Sequence, residues 1–446
     1  MIRRTMHIGL DDTDSTRKGC TTYVAALLVE RLEKLGADFI DYPNLIRLNP
    51  NVPWKTRGNV ALCLRVQFAE NVAKKIKETV THTVEELADL EFKGTDPGIV
   101  FFERTKIPRE VKTFAKNTIT SITSLKEAEK LLTKFKAEAI GFKNGRGIIG
   151  GLAAVGEILE ADHTYEVLAY RTPQNYGIKR RLDEASIFKM DETTTPYTFN
   201  NVDTEKRRVI ITPRGPDPIL FGIRGETPEI VKKAFKMVKS LEPIERRVIF
   251  RTNQGTDAHL TRVEALSQIR PFSSVIVAGT VTRNPKMIPG KHVIFSISDE
   301  SAEADCAAYE PTGTLRHMAM KLLTGDRVEI YGGIRNPSVD RPVTINLEKI
   351  RLLKLAPKII HSNPFCPKCG KRLKSMGKNQ GYRCEKCGSR YSNLAKVETE
   401  MKREIETGLY ITSTRSQRHL TKPSVRYGRE KSRGLVNDLI EGWHSP

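Results

Sequence analysis

Several things are missing from this 446-residue chain, and each absence narrows what it can be. No apolar run reaches the roughly 18 residues that a membrane-spanning helix needs. The opening MIRRTMHIGL has no apolar stretch before Asp11, which argues against a secretory signal and predicts a cytoplasmic protein. Cysteine is scarce, with seven in all, and Cys20, Cys63 and Cys306 lie far from the others and from each other. That distribution excludes a disulfide scaffold. Neither GxxxxGK[ST], HExxH nor a serine-triad pattern occurs, so P-loop and zinc-protease chemistry fall away. Internal repeats and low-complexity tracts are absent too.

What is present is an ordinary globular composition, 39% hydrophobic, with a length that predicts two to four domains. Lys and Arg number 74 against 53 Asp and Glu, a net charge of +21. From Lys358 onward there are 19 basic residues against 8 acidic ones. Such an excess favours a polyanionic partner, because phosphate contacts release condensed counterions.

The periodicity changes along the chain. His7–Leu10 is a short strand ending in Asp11-Asp12-Thr13-Asp14-Ser15, and Thr22–Leu35 follows at helical spacing. Further strands are predicted at 60–68, 99–103, 165–170, 208–212, 219–223 and 248–252, and helices at 72–90, 125–136 and 227–240. This mixture predicts α/β and α+β layers. Between Val275 and Leu353 come five strand-like stretches with one helix, 312–323, between the third and fourth. That is the layout of an OB-fold, a barrel that commonly binds oligonucleotides. Residues 357–364 read as a linker, Leu394–Ile405 as a charged helix, and 410–446 as a basic tail bearing Tyr427 and Trp443.

Cys366-Pro-Lys-Cys369 and Cys384-Glu-Lys-Cys387 match a zinc ribbon, where four thiolates close a tetrahedral, structural Zn²⁺ site. Asp11, Asp12 and Asp14 repel one another unless a hard cation or solvent separates them, and Mg²⁺ carried on nucleotide phosphates would suit them. A solvated turn is the alternative. Lys55, Arg57, Arg224 and the Lys143-Asn-Gly145-Arg146-Gly147 turn place donors where phosphate could approach, with the 148–156 helix N-terminus facing an anion. His259 reads as structural.

These motifs resemble one family: the archaeal enzymes that make 2-agmatinylcytidine at the wobble position of an isoleucine tRNA. The resemblance is carried by IGLDDTDS (8–15), CTTY (20–23), RLNPNVPWKTRGN (47–59), GRGIIGGLAAVG (145–156), FGIRGE (221–226), TNQGTDAHL (252–260) and the Cys₄ ribbon. It implies a kinase-like and a ferredoxin-like domain within 1–262, an OB-fold at 263–356, a zinc ribbon at 357–393 and a charged helix with a basic tail at 394–446. It also implies an ATP-dependent carbon–nitrogen ligase: ATP phosphorylates the cytidine C2 oxygen, agmatine displaces it, and the CAU anticodon then decodes AUA. Asp11, Asp12 and Asp14 would hold Mg²⁺-ATP, with Asp12 and Asp14 on the metal. Lys55, Arg57, Lys143, Gly145, Arg146, Gly147 and Arg224 would meet phosphate, and Thr21 would be phosphorylated. No obligate protein partner is implied. The family usually reads GMCTTY where Lys18-Gly19-Cys20 stands here. The competing readings are a non-catalytic OB-fold and zinc-ribbon single-strand binder, which would not need three adjacent carboxylates, and a different ATP-dependent tRNA modifier.

Overall fold

The structure is a computed structural model that describes residues 3–336, 343–431 and 438–445. Within the predicted 410–446 tail, residues 432–437 and 446 therefore lie outside the described residues. In the first 262 residues, strands β1 (Arg3–Asp11), β2 (Asn44–Arg47), β3 (Val60–Ala69), β4 (Gly98–Phe102), β5 (Glu138–Gly141), β6 (Thr164–Arg171), β7 (Ile219–Gly225) and β8 (Ile244–Thr252) join one sheet in the order β5-β4-β1-β3-β2-β8-β6-β7. All neighbours are antiparallel except β2 and β8, which run parallel with Asn44 opposite Arg251 and Leu45 opposite Thr252. The two predicted N-terminal domains thus share a continuous sheet, joined at that one parallel pair.

Helices cover both faces. On one lie α1 (Thr21–Glu33) and α2 (Ala73–Leu87), whose Val24, Leu28, Leu32, Ile76 and Val80 bury against Ile8, Leu64 and Val66. On the other, α3 (Arg109–Thr120), α4 (Leu125–Phe135) and α5 (Gly147–Gly156) share a core with Ile46, Val100 and Phe102. Ser124 and Glu127 form a reciprocal capping box that fixes where α4 starts. The second half of the sheet is covered by α6 (Glu184–Thr194) and α7 (Pro228–Met237), the latter opened by the Thr227 side chain accepting from the Ile230 amide.

The predicted barrel is present. Strands β9 (Ser274–Ile288), β10 (His292–Ser298), β11 (Glu303–Ala308), β12 (Arg327–Arg335) and β13 (Thr344–Lys354) close in the order β9-β10-β11-β13-β12, with β12 returning to β9. Helix α8 (Thr314–Ala319) sits between the third and fourth strands.

Beyond the barrel, three expectations are corrected. The linker is a strand, β14 (Lys358–Ser362), and the charged helix is another, β15 (Val397–Met401), paired with it as an arm that carries the ribbon. Val397, Thr399 and Met401 alternate with Glu398 and Glu400, a period of two that the arm's pairing selects over helix propensity. Nor is the C-terminal segment a free tail. Its β16 (Gly408–Ile411) joins the barrel on β13, and its β17 (His444–Ser445) pairs with β8 of the large sheet. Between them Arg426 is completely buried, pairing with Glu226 and Asp162, and Trp443 packs edge-on against Phe39 and Tyr42.

Candidate active site and metal centre

The acidic loop leaves the end of β1 and turns sharply, with Asp12 in the left-handed region (φ 59°). α5 crosses directly beneath it, so close that a Cβ on Gly150 would strike the Asp11 carboxylate. The three aspartates do not converge as one ligand cluster. Asp12 accepts from Arg146 Nη2 at 2.9 Å, and Asp14 pairs with Arg57 at 2.6 Å. Among the described residues, the Asp11 side chain accepts only its neighbour's amide, Asp12 N, at 2.7 Å. Burial, with the charge of Asp12 beside it, raises the Asp11 carboxyl well above the usual carboxylate range. Burial also raises Asp12 and Asp14, against the pull of Arg146 and Arg57 respectively. Carboxylates held high by desolvation gain most from an added cation.

Gly19 answers the Lys18-Gly19 departure. It takes φ +83°, and its carbonyl accepts from Arg57 Nη2 at 2.7 Å, so the glycine lets the loop turn back onto the same arginine that holds Asp14.

Asp11, Asp12, Asp14, Lys55, Arg57 and Arg146 line one cleft, together with the exposed apolar side chains of Trp54 and Ile122. Lys143 is turned away, its ammonium on the Phe92 carbonyl at 2.6 Å. Gly145 and Gly147 serve as close contacts. The α5 N-terminus is not an open anion site, because its first three amides are engaged by Asp96, Gly145 and Arg146 carbonyls at 2.8–3.0 Å.

A second cavity of about 360 Å³ adjoins the first. Thr21, the first residue of α1, lines it, its Oγ1 3.0 Å from that of Thr13. Asp217 and Glu166 are also there; Asp217 meets Arg57 Nη1 at 3.0 Å, and Glu166 accepts from Arg224 Nε at 3.1 Å. Arg224 therefore belongs to this cavity and not to the first. Arg47 and His419 complete the wall. Asp217, Glu166 and His419 are invisible in the sequence, since each sits in a different element with no spacing to the acidic loop. Arg47 showed only as the first residue of the RLNPNVPWKTRGN motif. His259 is structural: it meets Glu348 of the barrel at 3.1 Å.

In the ribbon, Cys366, Cys369, Cys384 and Cys387 bring their sulfurs within 4.8 Å of one another. Cys366–Cys387 is 3.6 Å and Cys369–Cys384 is 3.3 Å. A tetrahedron of Zn–S bonds near 2.3 Å has edges of about 3.8 Å, so the four donors fit zinc with no position left open.

Fold and site together define a class: a multidomain protein that sets a polar, two-cavity α/β site beside an OB-fold barrel and a Cys₄ ribbon. Protein-family models resolve it further. They match the TiaS TCKD domain at 7–144, the TiaS FLD domain at 145–259, an OB-fold nucleic acid binding domain at 275–353 and the TiaS C-terminal zinc ribbon domain at 363–405. The tRNA(Ile2) 2-agmatinylcytidine synthetase TiaS of Methanosarcina mazei is 42% identical over 96% of this chain and 99% of its own. That of Methanocaldococcus jannaschii is 43% identical over 94% and 98%. A TiaS–tRNA(Ile2)–ATP complex aligns with TM-score 0.86 at 39% identity, covering 95% of this chain and 97% of that one. A TiaS–tRNA(Ile2)–AMPCPP–agmatine complex aligns with TM-score 0.84 at 36% identity, covering 97% and 100%. The chain belongs to the TiaS family.

Proposed function

We propose that this protein is a tRNA(Ile2) 2-agmatinylcytidine synthetase whose two cavities divide the reaction between them. The observation that carries the reading is their shared wall: Asp14, Arg57, Gly58 and Val60 line both. A nucleotide in the first cavity lies beside whatever occupies the second. The relatives solved with tRNA(Ile2), ATP or AMPCPP, and agmatine support ATP, agmatine and the CAU-anticodon isoleucine tRNA as substrates.

In the first cavity, Asp12 and Asp14 would hold nucleotide-bound Mg²⁺ once its charge draws them off their arginines, and the ion would supply charge neutralisation on the phosphates. Arg146 and Arg57 would then exchange carboxylates for phosphate oxygens. Phosphoryl transfer asks mainly for such positioning and charge compensation. The cytidine C2 oxygen, in the second cavity, takes a phosphoryl group from ATP as a phosphoanhydride bond breaks and the remaining nucleotide departs, and it becomes a good leaving group. The primary amine of agmatine attacks C2, the C2–O bond breaks, phosphate departs and the amine loses a proton. Glu166 and Asp217 are the carboxylates available to the agmatine guanidinium there. Thr21, which lines the same cavity, would accept a phosphoryl group itself. The target base reaches the cavity only when extruded from the anticodon loop, with the barrel and ribbon holding the remaining RNA.

The test is incubation of the full chain with ATP, agmatine and transcribed isoleucine tRNA, followed by nucleoside mass analysis. The expected product is a wobble cytidine heavier by agmatine minus water, formed only with ATP. Tight tRNA binding without any such product would leave a passive single-strand binder.

A further inference from the structure

His419 comes from the C-terminal segment, not from the two domains that build the reaction cavity, yet it lines that cavity. It also lines two clefts that open beside it. One carries Arg208, Arg214 and Arg415, the last paired with Asp203 and Glu205, and the other Lys55 and Arg418, the latter 3.5 Å from Glu348; among the described residues neither has a carboxylate in its lining. The imidazole therefore stands where two basic clefts meet the reaction cavity.

Its hydrogen bonding fixes its tautomer. Arg224 Nη2 lies 2.9 Å from His419 Nδ1, and a guanidinium can only donate, so Nδ1 accepts and Nε2 carries the hydrogen. Burial, then the charges of Arg47 and Arg224, push the ring well below its ordinary pKa, which keeps it neutral. Nε2 has no hydrogen-bond partner among the described residues. It faces Gly58, where an added Cβ would meet both Nε2 and Arg47 Nη1, so the glycine leaves room for the two side chains to converge. Arg47 donates its amide to Asn253 and Nε to Gln254, and Arg224 donates Nε to Glu166. Arg47 Nη2 and Arg224 Nη1 are thereby left without protein partners among the described residues. Two guanidinium groups and a neutral N–H donor on one wall suit an anion, and an uncharged spacer between them avoids a third like charge.

We propose that Arg47, His419 and Arg224 form a cradle for a phosphate of the RNA substrate, in which His419 donates Nε2–H to a phosphate oxygen. The proposal rests on the synthetase reading for the identity of the RNA. The phosphate has two possible sources, a backbone phosphate beside the target cytidine or the phosphoryl group formed on its C2 oxygen.

Two variants separate donor from acceptor. In His419→Gln the amide nitrogen takes the place of Nε2, whereas in His419→Asn the amide oxygen takes the place of Nδ1. A hydrogen bond to a charged group predicts at least about a tenfold loss of kcat/KM for tRNA in His419→Asn, with His419→Gln within about threefold of wild type. Titration of tRNA without ATP distinguishes the sources. Weakened binding by His419→Asn assigns the backbone phosphate, and unchanged binding with a fallen kcat assigns the phosphoryl group. Three results overturn the cradle: Asn outperforming Gln, which leaves His419 only a prop for Arg224, both variants matching wild type, or both falling equally. Wild-type agmatine incorporation, run in parallel, tests the synthetase reading separately, since the binding arm needs no catalysis.

Discussion

Asp12 and Asp14 each hold an arginine for which a nucleotide's phosphates would compete. Replacing either with Asn should leave folding nearly intact, because Arg57 keeps Asp217 and the Arg146 side chain is 31% exposed. ATP turnover should fall about 10²–10³-fold, the worth of a preorganised electrostatic contact in a transition state. Near-normal turnover in both variants would reduce the loop to a solvated turn. Thr21→Ala should still bind ATP while no radiolabel from ATP appears on the protein. A separate expectation concerns His7 and His163, which burial, aided by Arg65 and Arg251 respectively, pushes down to about 3 and about 4. The unfolded chain protonates both near pH 6.5, the folded one only below those values. Below pH 6.5 the unfolded state therefore binds more protons, and stability falls with pH by up to about 1.4 kcal/mol per unit for each histidine. Urea midpoints between pH 7.5 and 4.5 should show this slope, and His7→Gln should flatten it. An unchanged slope in that variant would remove His7 from the account.

The ribbon is the element with the least core of its own: Cys366, Leu373 and Cys384 are its buried apolar residues. Metal therefore has to supply its folding free energy, roughly 10–16 kcal/mol for sites of this kind. Cys366→Ser should lose the expected zinc, about one per chain, and expose 363–393 to limited proteolysis, while the barrel and large sheet melt as before. Full protease resistance in a zinc-free preparation would defeat this. The ribbon was legible because ligand chemistry dictates spacing. The barrel was legible because five alternating runs and one helix have few other arrangements. The arm was not, since KVETEMKRE carries strong helix formers and only the partner strand at Lys358–Ser362 decides its conformation. The site was half legible. Asp11, Asp12, Asp14 and Arg57 lie in dense motifs, whereas Glu166 sits within a buried strand and His419 in a segment without periodicity. Lys143 was misplaced because a lysine beside glycines looks the same in sequence whether it faces a ligand or, as here, the Phe92 carbonyl.

At the scale of the whole molecule, much of the C-terminal charge that reads as a polyanion-binding tail is spent internally. Arg426 is fully buried between Glu226 and Asp162, and Lys431 reaches Glu226 at 3.1 Å. Arg426→Ala should cost about 3–5 kcal/mol, because it strands two carboxylates that have little access to water. Denaturant unfolding should show it as a lower midpoint, and Arg426→Lys should recover only part. Removing everything beyond Thr407 should lower stability as well as tRNA affinity. It takes away β16, His419, Arg426 and Trp443 together, so ATP turnover is not spared. A truncated chain with unchanged melting and turnover would contradict this. The same connectivity bears on synthesis. The parallel junction of the large sheet closes once Thr252 has been made, yet the strand that caps β8 begins at His444. At translation rates of about 5–20 residues per second, the 191 intervening positions (253–443) take roughly 10–40 s. Throughout that interval the nascent N-terminal half displays Glu226 and Asp162 unpaired and a reaction cavity lacking its histidine. On the proposed function, a ribosome-bound chain would thereby be kept from modifying tRNA until its C-terminal segment has emerged and threaded home.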